Sequence, residues 1–180
     1  MVIELSDITI RPLLKKDSLV LSNWLSDPAV LRYYEGRDNP FDVNKVIKKF
    51  FNRDNGVVGN IIIHKGIEIG YIQYYRINET TSKLTGYHPE ERIYGMDQFI
   101  GNTNYWNKGI GTLVVSQMVK YLITNKSADR ILMEPQMQNV RAIKCYEKCG
   151  FKKVRILPEH ELHEGKYRDC WLIEYKVNRE

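Results

Sequence analysis

The chain has 180 residues, enough for one domain with its own core. Hydrophobic residues make up 43% and charged residues 27%, the balance of a globular protein that folds in water. The excess of 27 basic over 22 acidic residues, a net +5, is scattered without a run of five or more, which argues against a nucleic-acid or membrane partner. The opening MVIELSDITI lacks a basic segment followed by a long apolar run, and no stretch approaches ~18 continuous apolar residues. Cys145, Cys149 and Cys170 are odd in number and sparse, which favours free thiols and a cytoplasmic protein.

In chain order, residues 8–13 read as a strand ended by Pro12. Asp17 is placed to cap a helix with Val20, Leu21, Trp24 and Leu25 on its apolar face, stopped by Pro28. Residues 30–41, broken by Gly36 and Pro40, read as a loop. Asp42 then caps a helix with Val43, Val46, Ile47, Phe50 and Phe51 on one face. A strand over 60–64 turns at Lys65-Gly66 into a long strand over 67–77. On that strand Tyr71, Gln73 and Tyr75 share one face, and Ile72 and Tyr74 the other. Residues 78–90 read as a polar excursion before a strand over 92–100.

A helix over 110–125 carries Val114, Met118, Tyr121 and Leu122 at helical spacing. A short strand over 130–134 closes at Pro135. Asn139 caps a helix over 140–149, ended by Gly150. Strands are expected over 151–157 and 167–176, with 158–166 a polar acidic loop between them. This order predicts one α/β (α+β) domain over 1–180, around a single mixed, mostly antiparallel sheet flanked by helices.

The stretch 95–112, GMDQFIGNTNYWNKGIGT, concentrates the chemistry. A strand runs into a turn holding Gly109 and Gly111, and a helix follows. Glycines there serve either tight packing or the close approach of a ligand, and a helix start offers unpaired N–H groups and a partial positive charge to a phosphate. The turn lacks both the Walker pattern and the dinucleotide G-x-G-x-x-G. Asp97 is either a strand carboxylate satisfied by backbone or a base beside that anion site. The two histidines of His160-Glu161-Leu162-His163 are too close for H-E-x-x-H, and no metal is expected.

NVRAIKCYEKCGF, residues 139–151, completes a pattern of strand, glycine turn, helix, strand and N-x-x-A-x-x-x-Y-x-x-x-G-F. The chain thereby resembles the acetyl-CoA-dependent GNAT N-acetyltransferases over its full length. GYIQYY, YGMDQFIG, NYWNKGIGT and LPEHELHEGK narrow the resemblance to aminoglycoside 6'-N-acetyltransferases of the kind also found fused to an aminoglycoside phosphotransferase. One departure is Trp106, where the family's turn has Gln or Arg.

The resemblance implies acetyl-CoA held by Gln98, Phe99, Ile100, Lys108, Gly109, Ile110, Gly111, Thr112, Asn139, Ala142 and Tyr146. It implies Asp97 as the group that takes the amine proton and Tyr146 as the acid for the departing thiolate, against a bland reading of Tyr146 as core. Tyr34, Glu35, Asp38, Gln73, Tyr94, Glu134, Glu159 and Glu161, with Asp97, would receive a polycationic aminoglycoside. A monomer or weak dimer is expected. A GNAT enzyme for another amine (a polyamine or protein N-terminus) and a non-catalytic binding module stay open.

Overall fold

In the computed structural model, which describes residues 2–77, 87, 88 and 90–178, one eight-stranded sheet carries every long element. The strands are β1 (Ile3–Leu5), β2 (Ile8–Pro12), β3 (Val58–His64), β4 (Ile67–Ile77), β5 (Ile93–Ile100), β6 (Arg130–Met133), β7 (Lys152–His163) and β8 (Lys166–Lys176). Their spatial order is β1-β2-β3-β4-β5-β6-β8-β7. Every pairing is antiparallel except β5 with β6. The mixed, mostly antiparallel sheet is therefore as the sequence predicts.

The helices are α1 (Ser18–Trp24), α2 (Pro28–Leu31), α3 (Val43–Val46, continued as a π-turn over Ile47–Phe51), α4 (Ile110–Lys126) and α5 (Val140–Lys148). One sheet face, with Ile10, Ile62, Ile72, Tyr74 and Met96, packs on Val114, Val115, Met118 and Leu122 of α4 and on Tyr146 of α5. The other, with Ile61, Tyr71 and Phe99, is covered by Leu21, Trp24, Leu25, Val30, Val46 and Phe50 of α1–α3. Strand alternation alone sends Tyr71 and Ile72 to opposite cores.

Several expectations need correction. Strand β1, paired through a turn in which Ser6 has φ 45°, precedes the first predicted strand. Asp17 does not cap α1. Its carboxylate accepts from Leu14 N–H at 2.7 Å and from Arg11 at 2.7 and 2.9 Å, closing the turn upstream. α1 ends at Trp24, before Pro28; Pro28 instead starts α2, which runs into the segment 30–41 expected to be a loop, because proline suits the first helical position. Asp42 caps α3 by accepting from Lys45 N–H at 2.7 Å.

The predicted loop over 158–166 is instead the end of β7 and a tight turn. Glu164 and Gly165 have φ 50° and 70°, the turn that matches strand twist. Pro158 is tolerated because β7 is an edge strand with a bulge between Leu157 and Glu161. The predicted excursion over 78–90 lies almost wholly outside the described residues.

Candidate active site

Strand β5 pairs with β4 along its whole length, Ile93 to Ile100, but with β6 only at Ile93–Gly95. Beyond Gly95 the two parallel strands diverge, and among the described residues one edge of β5 carries no strand partner. Gly101 N–H donates to Ile69 O at 2.8 Å. By the antiparallel alternation, Phe99 N–H therefore also faces β4, whereas Gln98 and Ile100 N–H face the open edge. The main-chain donors that β5 turns to this edge are thus those of Gln98 and Ile100.

A cavity of about 410 Å³ lies along that edge. It is lined by Gln98, Phe99, Ile100, Lys108, Gly109, Ile110, Gly111, Thr112, Asn139, Ala142 and Tyr146, so every residue assigned to the coenzyme falls in one cleft. Gly109 caps α4 with φ 77°, the left-handed geometry that disfavours a side chain, and nothing lies within 4 Å of where its Cβ would be. The first-turn N–H groups of α4 therefore open onto the cleft. Asn139 caps α5 by accepting from Ala142 N–H at 3.3 Å.

Four cations, Lys108, Arg141, Lys144 and Lys148, share this lining. Sequence reasoning missed the last three, which no motif singles out. At the departure from the family pattern, the Trp106 indole donates to Ile100 O at 2.8 Å and stacks under Arg141 at 4.0 Å.

A second cavity, about 500 Å³, adjoins the first. Its lining includes Tyr34, Glu35, Gln73, Asp97, Glu134 and Glu161, and it shares Tyr33, Tyr34, Gln98, Asn139 and Tyr146 with the first. Asp97 and Gln73 are register partners on β5 and β4, and Gln73 Nε2 donates to Asp97 Oδ2 at 3.0 Å. Burial pushes the Asp97 carboxyl above its ordinary range; the Gln73 N–H opposes this, and Glu134, Glu161 and Glu35 push it further up. Burial likewise raises Tyr146, which stays a protonated donor well above neutral pH. The side-chain oxygen of Gln98, which lines both cavities, is buried without a hydrogen-bond partner among the described residues.

The other acidic groups are partly engaged. Glu134 meets His160 Nε2 at 2.7 Å, Glu161 accepts from Gln136 Nε2 at 2.9 Å, and Glu35 pairs with Lys49. His160, Gln136 and Lys49 all line this second cavity and were missed, since a polar residue in a presumed loop, or on the polar face of a presumed helix as Lys49 is, gives no signal of its partner. His163 points the other way, buried and bonded to Arg32 O at 3.1 Å.

Three proposed acceptor residues do not line either cavity. Tyr94 is odd-even opposed to Asp97 on β5, so its ring packs on Tyr74 over the opposite face. Asp38 is exposed in the turn after Gly36, and a Cβ on Gly36 would lie 2.6 Å from its carboxylate. Glu159 sits exposed at the β7 bulge with φ 50°. Trp24 is core, edge-on to Phe99.

A family model described as acetyltransferase (GNAT) domain matches residues 14–158. The aminoglycoside N(6')-acetyltransferase type 1 of Klebsiella pneumoniae is 29% identical over 152 residues, which is 81% of this chain and 74% of that protein. A crystal structure of aminoglycoside acetyltransferase AAC(6')-Ib with coenzyme A and kanamycin superposes with a TM-score of 0.76 at 24% identity, covering 94% of both chains. A spermidine N-acetyltransferase from Vibrio cholerae, solved with coenzyme A and spermine, gives 0.77 at 19% identity over 96% of both chains. At these identities the two superpositions establish a common fold.

Proposed function

The chain belongs to the GNAT acetyltransferase family, and on that premise we propose that it moves an acetyl group from acetyl-CoA to the 6'-amino group of an aminoglycoside, conferring resistance. The observation that carries this reading is the meeting of two unlike cavities at Gln98, Asn139 and Tyr146, with Asp97 in the lining of the second, one rimmed by cations and a helix start, the other by carboxylates. The donor cleft fits acetyl-CoA. Amides at Lys108 to Thr112 and the α4 start suit a pyrophosphate, and the unpaired β5 edge suits the amides of a pantetheine arm. The acceptor cavity suits a molecule with several ammonium groups, whose charge Asp97, Glu35, Glu134 and Glu161 would balance.

In the proposed reaction Asp97 orients the amine and takes its proton, directly or through water, because only the neutral amine has a lone pair for the thioester carbonyl. The outward N–H of Gln98 or Ile100 meets the oxygen on which charge develops. The Tyr146 hydroxyl protonates the departing thiolate. Holding two reactants face to face supplies much of the acceleration, since effective molarity is worth roughly 7–11 kcal/mol at best. Acetylation removes one positive charge from the drug and weakens its hold on ribosomal RNA. The unpaired cysteines fit the cytoplasm, where such an enzyme would work as a monomer or weak dimer over 1–180. Among the described residues no helix is long and apolar enough to cross a membrane.

The test mixes protein and acetyl-CoA with kanamycin, spermidine or a peptide with a free N-terminus, and follows release of free thiol. Release with kanamycin is expected. Release with spermidine or peptide alone moves the reading to another amine, and release with none rejects catalysis in favour of a binding module.

A further inference from the structure

Behind the acceptor cavity lies a chain of hydrogen bonds that the proposed mechanism has not used. Arg53, just past the π-turn that continues α3, donates from Nη1 to Gln73 Oε1 at 3.0 Å and from Nη2 to Tyr71 Oη at 2.9 Å. The Tyr71 hydroxyl donates to the same Gln73 Oε1 at 2.9 Å. Gln73 then donates its amide N–H to Asp97. Arg53 itself lines neither cavity, so its role runs through Gln73.

We propose that Arg53 is a positioning residue that locks the Gln73 amide with its NH₂ toward Asp97, and so fixes both the aim of that carboxylate and its readiness to take a proton. The inference rests on the reading of Asp97 as the base. A guanidinium has donors only and an ionised carboxylate has acceptors only. With both flanking Gln73, a single amide orientation satisfies them; the flipped one sets donor against donor at Arg53 and acceptor against acceptor at Asp97. Tyr71 reinforces the choice. Its hydroxyl already accepts from Arg53, so its own hydrogen is free to go to Gln73 Oε1.

The fold makes room for the relay. Gly59 is the β3 register partner of Gln73, and a Cβ there would lie 2.6 Å from Tyr71 Oη. The Phe50 ring stands edge-on to Tyr71 at 5.1 Å and under the Arg53 guanidinium at 5.7 Å. Tyr71 is fully buried, and burial pushes its phenol up to about 12, so it remains a donor across the working range.

The consequence is readable at Asp97. Burial, Glu134, Glu161 and Glu35 raise its carboxyl, and the Gln73 N–H is the contact holding it down. The phenols of Tyr34, Tyr75 and Tyr146 also feel its charge. If Gln73 is released, Asp97 stays protonated to higher pH.

The experiment compares the parent with Arg53→Met, Arg53→Lys, Gln73→Ala and the Arg53→Met/Gln73→Ala pair. Rates are read as kcat and KM across pH, and the Asp97 carboxyl is titrated directly by ¹³C NMR. Arg53→Met is expected to move that titration and the acid limb of kcat up by about one pH unit, a tenfold change in the protonation equilibrium. Gln73→Ala should shift it equally and the pair no further, because both cut one chain. Arg53→Lys should restore part of the shift. Acetyl-CoA binding, in the other cleft, should be unchanged in all four, which separates this effect from general unfolding. An unmoved Asp97 titration in Arg53→Met, or shifts that add in the pair, overturns the proposal. A moved titration with an unmoved kcat profile supports the relay and instead refutes Asp97 as the base.

Discussion

Replacing Asp97 by Asn tests the proposed chemistry most directly, because the structure predicts opposite signs for activity and stability. Asparagine keeps the shape and can still accept from Gln73, but it cannot take a proton. A positioned general base contributes about 10²–10⁴-fold, so kcat should fall by at least ~100-fold. Acceptor affinity should change far less. Glu35, Glu134 and Glu161 remain in the cavity, and one partly solvated ion pair is worth roughly 1 kcal/mol or about fivefold. The loss therefore belongs mainly to kcat, and acetyl-CoA affinity should be unaltered.

Stability runs the other way. The Asp97 carboxyl is raised in the fold, chiefly by burial. Above the ordinary carboxylate range and below its folded value, the native state holds a proton that the unfolded chain has lost. Stability contributed by that proton is full at low pH and disappears as pH rises through the folded value. At neutral pH the charged carboxylate opposes folding, so the Asn variant should melt at the parent Tm or above it. Steady-state kinetics with kanamycin and a thermal melt at pH 7 decide the matter. Turnover within about twofold of the parent refutes the base role, and a clear drop in Tm refutes the electrostatic reasoning.

Other outcomes follow from single features. Tyr146→Phe should lower kcat by about tenfold or more while leaving acetyl-CoA binding intact, since only the proton for the leaving thiolate is lost; a thiol-release assay with a binding isotherm checks both. Cys145 lines the donor cleft, and its neighbours Cys149 and Thr112 hold its thiol below the ordinary thiol range. Iodoacetamide at neutral pH should therefore label it ahead of Cys170, whose burial pushes it to about 12, and acetyl-CoA should slow the labelling seen by peptide mass spectrometry. Asp17 is raised by burial but held low, on balance, by Arg11 and Leu14 N–H, so its contribution is present above the ordinary carboxylate range and lost as pH falls through its folded value. Asp17→Ala, which leaves Arg11 facing Glu68 alone, should cost about 3 kcal/mol, or roughly 6–12 °C in Tm by calorimetry. Kanamycin binding should weaken as salt rises, because screening acts on exposed charge pairs; a salt-independent isotherm would count against the carboxylate cavity.

The parts of the fold legible in the sequence are those in which one residue reports its own environment. Val114, Met118 and Leu122 announce a helix face by spacing, and Gly109 marks a backbone position that tolerates φ 77°. Asn139 and Asp42 are side chains whose cap bonds are local. What was not legible depends on partners distant in sequence. Asp17 looked like a cap until Arg11 claimed it. Pro158 signalled a loop because a ladder cannot use proline, yet an edge strand with a bulge accommodates it. Tyr94 sits three residues from Asp97, and only the alternation of a strand, applied strictly, sends it to the other face. His160, Lys49 and Arg53 carry no local pattern; their roles come from Glu134, Glu35 and Gln73 across the fold.

Under the proposed function, the divergence of β5 from β6 explains how two incompatible demands meet in one place. An anionic coenzyme and a polycationic acceptor cannot share one lining, because charges that hold one repel the other. A strand resolves this through its two outputs. Its side chains alternate across the sheet, which puts Asp97 beside Gln73 on the acceptor side, while its backbone alternates in the plane, which turns Gln98 and Ile100 N–H toward the open edge. The cations on α5 and the start of α4 border that edge, and the carboxylates of β7 and of the segment after β6 border the acceptor cavity. A net charge of +5 therefore says little about which ligand binds where. Filling the open edge should separate the two functions: a bulky side chain in place of Gly111, whose Cβ would lie 3.5 Å from Cys145 Sγ, should abolish acetyl-CoA binding while leaving kanamycin binding measurable by calorimetry. Loss of both together would mean that the acceptor cavity does not exist without an intact donor cleft.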